Sequence, residues 1–197
     1  YGEAWTPSSP RFMQGAKQQV ERVSEEDTIE ALAEHVKTLI VDDNDLMIVW
    51  GSGGTLNRIG KHCGHDLTLL GIDVESPSLN GGTKRTLNLD LNEQGLLEII
   101  DQHSDSNGQT KPILLLLSPM GGQGFLIGRG NLQLSPDVLR KIGIENILGV
   151  ATPSKLIGLS NVRIDTGDTT LDEKFHKKRF IKILQGFRTT RLIRIAQ

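Results

Sequence analysis

One cysteine, Cys63, stands in the whole chain. No intrachain disulfide can form, so a disulfide scaffold is excluded and a reducing, cytoplasmic compartment is expected. Aromatics are scarce, at 4% of residues. Long apolar runs are missing too. None is longer than Ile113 to Leu117, which is far too short to cross a bilayer, and no secretory signal is visible, so no membrane association is expected. Acids vanish near one end: Lys174 to Gln197 carries eight of the 22 Lys/Arg and no Asp/Glu. The rest then holds 14 Lys/Arg against 24 Asp/Glu, a balance of −10. A basic stretch of this kind can face phosphates or an acidic partner surface, and a solvated terminal element is the plain reading. The chain opens at Tyr1 rather than Met, from which a longer parent is expected.

Glycine is abundant, with 22 residues in 197. A glycine-rich, Leu/Ile-rich, aromatic-poor chain of this length suits one α/β domain with functional turns. Residues 1–23, with Pro7 and Pro10 and little periodicity, are expected as a connector or arm. Residues 24–197 are expected as the ligand-binding domain. Ser24-Glu25-Glu26-Asp27 reads as a helix start, and Ile29, Leu32, Ala33, Val36 and Ile40 follow at helical spacing. Leu46 to Trp50 reads as a strand buried on both faces, and Thr68 to Val74 as the next strand. Ser76 to Thr86 reads as a polar loop, then a helix from near Asn92 to Ile100. Ile113 to Leu117 is the strongest strand signal. Ser135-Pro136-Asp137 opens a helix to Ile142. Asn146 to Ala151 and Val162 to Asp165 read as strands, and helix then strand is expected from Leu171 on. Strand and helix alternate from Leu46 to Ala151. The expected fold is therefore α/β, a mostly parallel sheet with crossover helices, Rossmann-like and three-layered.

Ligands in such sheets sit beyond the carboxyl ends of the strands. Four unusual stretches fall there: Gly51–Thr55, Asp73, Ser118–Gly124 and Thr152–Lys155. In Gly51-Ser52-Gly53-Gly54-Thr55, main-chain amides at a helix start can face an anion, and two hydroxyls add donors. A tight connection is the competing reading. The motif is neither a Walker sequence nor a G-x-G-x-x-G fingerprint. Five glycines fall between Gly121 and Gly130, an entropic cost that suggests close backbone approach to a guest. Within that stretch Gly121, Gly122, Gln123, Gly124, Arg129 and Asn131 are candidates for a phosphate or a planar polar group. In Asn88-Leu-Asp90-Leu-Asn92-Glu93 the acids and amides can hold ribose hydroxyls or Mg²⁺, with a helix cap at Asn92 as the simpler role. Asp165 and Asp168 flank a Thr-Gly turn that could also edge a polar site. Lys61-His62-Cys63-Gly64-His65 fits no usual zinc spacing and reads as a helix end, so no metal site is expected.

Gly51-Ser-Gly-Gly-Thr55, Leu-Leu-Gly-Ile-Asp73-Val, Asp90-Leu-Asn-Glu93, the long block Ser118-Pro-Met-Gly-Gly-Gln-Gly-Phe-Leu-Ile-Gly-Arg-Gly-Asn131, Leu134-Ser-Pro136, Ala151-Thr-Pro-Ser-Lys155 and Arg163-Ile-Asp-Thr-Gly-Asp168 occur in this order. Together they resemble the ATP-NAD kinase/AcoX-like family, more narrowly the carboxyl-terminal half of its predicted polyphosphate- or ATP-dependent NAD kinases. The resemblance spans nearly the whole chain.

It implies phosphoryl transfer to the adenosine ribose 2′-hydroxyl of NAD, with ATP or polyphosphate as donor and Mg²⁺ on the donor phosphates. The family's Gly-Gly-Asp-Gly-Thr motif is absent here, and Ser cannot replace its Asp as a base at neutral pH. The catalytic residues are therefore expected upstream, and this chain alone is expected to be inactive. The resemblance implies that the loops at 51–55 and 121–131, with Asp73, Asn92 and Glu93, contact the nucleotide. A small-molecule nucleotide ligand, no nucleic acid and a homo-oligomer are expected. The alternative is a phosphosugar- or nucleotide-binding module without catalysis, of the glucosamine-6-phosphate deaminase or sugar-repressor type. A third reading is an oligomerisation domain that uses the basic tail.

Overall fold

A computed structural model of the chain describes residues 14–78, 84–120, 122, 124–128 and 130–196, with the helical backbone alone for residues 14–24. The helix expected to open at Ser24 begins at Gln14 instead, and α1 runs unbroken over Gln14–Asp42. Residues 14–23 contain no proline and mostly strong helix formers, so nothing ends the helix before Ser24. Ile29, Leu32, Ala33 and Val36 are fully buried, as their spacing predicts. They pack with Leu56 and Ile59 of α2 (Gly54–His62) against one sheet face.

The apolar run after α1 becomes β1 (Met47–Trp50), buried at every position. β4 (Ile113–Leu117) lies parallel to it, then β6 (Ile147–Val150), then β8 (Phe180–Gly186), each parallel to its neighbour. The mostly parallel α/β expectation holds, with antiparallel additions at both flanks. β2 (Asp73–Ser76) runs antiparallel to β1, and β3 (Thr86–Asn88) antiparallel to β2. β9 (Thr189–Ile195) folds back on β8 as a hairpin. β7 (Asn161–Ile164) and β5 (Phe125–Ile127) then extend the sheet, each parallel to its neighbour. The full order is β3-β2-β1-β4-β6-β8-β9-β7-β5.

Residues on the two faces separate into two cores, which makes the fold three-layered. α1 and α2 cover one face. On the other, α3 (Glu93–Gln102), α4 (Pro136–Ile142) and α6 (Thr169–Lys178) bury Leu96, Ile100, Val138, Leu139, Ile142, Leu171 and Phe175 with the odd residues of β1 and β4. Each of these helices is capped by the residue before it: Asn92, Ser135 and Asp168 accept from Gly95, Val138 and Leu171 amides respectively. A short helix, α5 (Pro153–Leu156), follows β6.

Two corrections concern strands. The expected strand from Thr68 pairs only from Asp73 onward, because the Asp73 carboxylate captures the Thr68 amide and hydroxyl and bends the intervening residues into a loop. That loop returns the chain to the carboxyl end of β1, where Leu69 accepts from the Gly53 amide, so β2 must run antiparallel. β3 and β5, which are not among the expected strands, are three residues each.

Candidate functional site

The parallel strands deliver their carboxyl ends to one rim. β1 ends in Gly51, β4 in Ser118, β6 in Ala151-Thr152. Gly51 is there for packing: a Cβ would come 2.7 Å from the Leu116 carbonyl. Its own amide donates to that carbonyl, and the Gly53 amide donates to Leu69, so two of the loop's donors serve the fold. Gly53 adopts φ +116, a conformation that favours glycine, and α2 starts directly behind it. No side chain caps α2 and no acid lies in its first turn, so its partially positive end stays open.

Lys155, in α5 beyond β6, reaches across to this end. Its Nζ donates to Ser118 Oγ at 2.9 Å and approaches Thr55 Oγ1 at 3.4 Å. Its amine is crowded although the residue as a whole is accessible, and that burial pushes its pKa below the ordinary lysine value; the charge of Glu25 acts in the opposite sense. Among the described residues no carboxylate lies within ion-pair distance of Lys155. A crowded ammonium, an open helix end and the hydroxyls of Thr55 and Ser118 thus meet at one rim, and the one acid whose charge reaches Lys155, Glu25, is itself paired with Arg58. An anion is the chemical complement of that arrangement.

Met120 links this rim to the second glycine-rich stretch. Its Sδ lies 4.0 Å from Ser52 Oγ, and a Cβ on Gly130 would fall 2.7 Å from the same sulfur. The turns at 51–55 and 128–131 therefore flank a single methionine side chain.

The other expected site residues have other occupations. Asp73 is buried, at 1% exposure, and accepts from the Thr68 amide, the Thr68 hydroxyl and the Asp90 amide. Asn92 caps α3, and Glu93 sits in its first turn. Asn131 is buried with both ends of its amide committed, Oδ1 to the Gly128 amide and Nδ2 to the Leu126 carbonyl. The Gly124 carbonyl accepts from the Arg163 amide. Gly122 has open space where a Cβ would point. Gly121, Gln123 and Arg129 lie outside the described residues. Lys155 and Ser118 were absent from the expected contacts, although a lysine and a serine just past two parallel strands were visible signals.

The model of the ATP-NAD kinase C-terminal domain matches residues 43–195. The chain belongs to the ATP-NAD kinase C-terminal domain family. No curated protein and no solved structure matches it. Membership makes an NAD kinase-like role the coarse functional assignment, with ATP and NAD as the substrates the family implies. The matched span contains every element from β1 to β9, so the rim belongs to the family domain itself. Among the described residues no helix is long and apolar enough to cross a membrane.

The resemblance implies Mg²⁺ on the donor phosphates. The rim offers hydroxyls and an ammonium, and Asp73 spends its oxygens on its own fold. Among the described residues no group of three or more His, Cys, Asp or Glu could hold a metal. The donor set does not suit a protein-held Mg²⁺.

Proposed function

We propose that this chain is the nucleotide-binding part of an NAD kinase and grips the phosphates of a nucleotide at the rim formed by Gly51–Thr55, Ser118 and Lys155. The observation that carries this reading is the Lys155 ammonium, placed between Ser118 and Thr55 with no carboxylate in ion-pair distance among the described residues. Free amides at the α2 start add oriented donors, as in other phosphate sites at helix N-termini. Gly122, Gln123 and Arg129 belong to the same glycine-rich stretch as Gly130 and extend the reading to a second phosphate or the sugar.

The general base is a separate matter. Gly51-Ser52-Gly53-Gly54-Thr55 carries no carboxylate, with Gly53 standing where a Gly-Gly-Asp-Gly-Thr motif has its Asp, and Asp73 is tied down by three donors. The base and the rest of the phosphoryl-transfer machinery come from an upstream domain in the full-length protein. Transfer then depends on positioning and charge neutralisation, to which Lys155 contributes the charge.

The test has two arms. The full-length protein, given NAD, Mg²⁺ and ATP or polyphosphate, forms NADP, whereas this chain binds pyrophosphate and ATP without turnover. NADP formation by the isolated chain overturns the division of labour. Stabilisation by glucosamine 6-phosphate but by neither pyrophosphate, ATP nor NAD favours the phosphosugar module instead.

A further inference from the structure

β5 and β7 lie side by side, and both run out into turns: Gly128 after β5, and Asp165-Thr166-Gly167 after β7. Between these turns and the start of α4 lies a cavity of about 230 Å³. That is more than ten times the ~10–15 Å³ a single water needs. Its wall includes Gly128, Leu132, Leu134, Asp165, Thr166 and Gly167. The two turns meet closely, since a Cβ on Gly128 would stand 3.4 Å from the Asp165 carbonyl. Two residues further on, Gly130 rests on Met120, whose sulfur contacts Ser52. Met120 thus connects the turn that follows the cavity's Gly128 to the rim's Ser52.

The acids of this segment divide sharply. Asp168 caps α6 and pairs with Arg140. Asp172 accepts from the Thr166 amide and hydroxyl. Asp165 differs. One oxygen, Oδ1, accepts from the Gly167 amide at 3.2 Å, which fixes the carboxylate at the cavity. Its other oxygen takes no protein hydrogen bond among the described residues. Asp165 is exposed, so water can satisfy that oxygen, and because a carboxylate can only accept, a guest that replaces the water there must bring donors. A phosphate is repelled by it, whereas two neighbouring hydroxyls on a sugar satisfy it. The apolar side chain of Leu134 and the exposed Leu132 offer a surface for the face of a ring.

Resting on the rim reading above, we infer that this cavity holds the sugar of the bound nucleotide, with the Asp165 carboxylate accepting from its vicinal hydroxyls. Asp165 is then a specificity residue: it favours ribonucleotides over bare polyphosphate at this domain and penalises sugars that lack the diol.

The experiment is calorimetric titration of this chain with three probes: inorganic pyrophosphate, ADP and 2′,3′-dideoxy-ADP. The expected order is ADP tightest, and Asp165→Ala weakens ADP about tenfold or more while pyrophosphate and the dideoxy analogue are unchanged. Asp165→Asn, which retains an acceptor for the Gly167 amide, separates loss of the charge from loss of the turn. ADP affinity that survives both substitutions, or equal affinity for ADP and its dideoxy analogue, overturns the inference and leaves the rim reading standing. Failure of pyrophosphate and ADP alike to bind the unaltered chain sinks the rim reading, and this inference with it.

Discussion

The Lys155 ammonium sits 2.9 Å from the Ser118 hydroxyl, joining the ends of two neighbouring parallel strands. A lysine held there with no carboxylate in ion-pair distance among the described residues is poised for an anion. Replacing it with Met keeps the stem and removes the charge. Pyrophosphate affinity then falls about tenfold or more, since hydrogen bonds to charged groups contribute ~1.5–3 kcal/mol. Protons report on the same contact. Burial lowers the Lys155 pKa in the free protein, so the unfolded chain holds this proton more tightly. Stability of the free form therefore rises with pH through the folded pKa, up to the ordinary lysine value. A bound anion draws the pKa back up, so binding on the alkaline side takes up a proton. Calorimetry in two buffers of different ionisation enthalpy measures that uptake; unchanged affinity in Lys155→Met, or no uptake, removes Lys155 from the site.

Asp73 is predicted to matter for stability. Its carboxylate closes the Thr68 loop and receives the Asp90 amide, all away from solvent. Asp73→Ala orphans these donors and costs about 3 kcal/mol or more in denaturant unfolding. A cost below about 1 kcal/mol would contradict the structural role assigned to it.

Asp73 also shows where sequence reading stops. The break from the apolar run Leu46–Trp50 into Gly51 made the rim legible, because only a buried strand ending in a turn accounts for that change of composition. The caps at Asn92 and Ser135 were legible because capping is local chemistry. Asp73 and Asn131 stood out as polar residues in unusual surroundings, and whether their side chains face a ligand or the protein's own amides is decided by the tertiary fold. Lys155 meets Thr55 across 100 residues of sequence, a juxtaposition that exists only once β1, β4 and β6 are aligned. β3 and β5 carry three residues each, too few for periodicity to register. The antiparallel turn of β2 depends on a Leu69–Gly53 hydrogen bond that no spacing reveals.

Glu75 is predicted to set the acid limit of stability. It is 3% exposed on β2, with Arg85 Nε 2.7 Å from Oε1 and His65 Nε2 3.1 Å from Oε2. The second contact needs the proton on Nε2; with it on Nδ1, Oε2 is a buried oxygen lacking a donor. Burial alone raises the Glu75 pKa, but His65 and Arg85 together hold it below the ordinary glutamate value. A lowered carboxylate pKa gives stability that is present above the unfolded value and lost as pH falls through the folded one. Unfolding free energy should therefore decline with acid below the ordinary glutamate range, and Glu75→Gln should flatten that decline. An unaltered acid profile in the variant would assign the loss to other groups.

Met120 is the hinge of the proposed site, because it fills the space between Ser52 and Gly130. A methyl group on Gly130 would fall 2.7 Å from both Sδ and Cε of Met120, so Gly130→Ala must displace the end of that side chain. Methionine is flexible, and the displacement is cheap in stability but moves the wall shared by the two glycine turns. Gly130→Ala should change pyrophosphate affinity with little change in unfolding free energy. Met120→Ala removes the obstacle, so adding Gly130→Ala to it should have almost no further effect. The double-mutant cycle then gives a coupling of about 0.5–3 kcal/mol in ligand binding. Strict additivity would mean that the methionine does not connect the two turns, and that the second glycine-rich stretch acts apart from the rim.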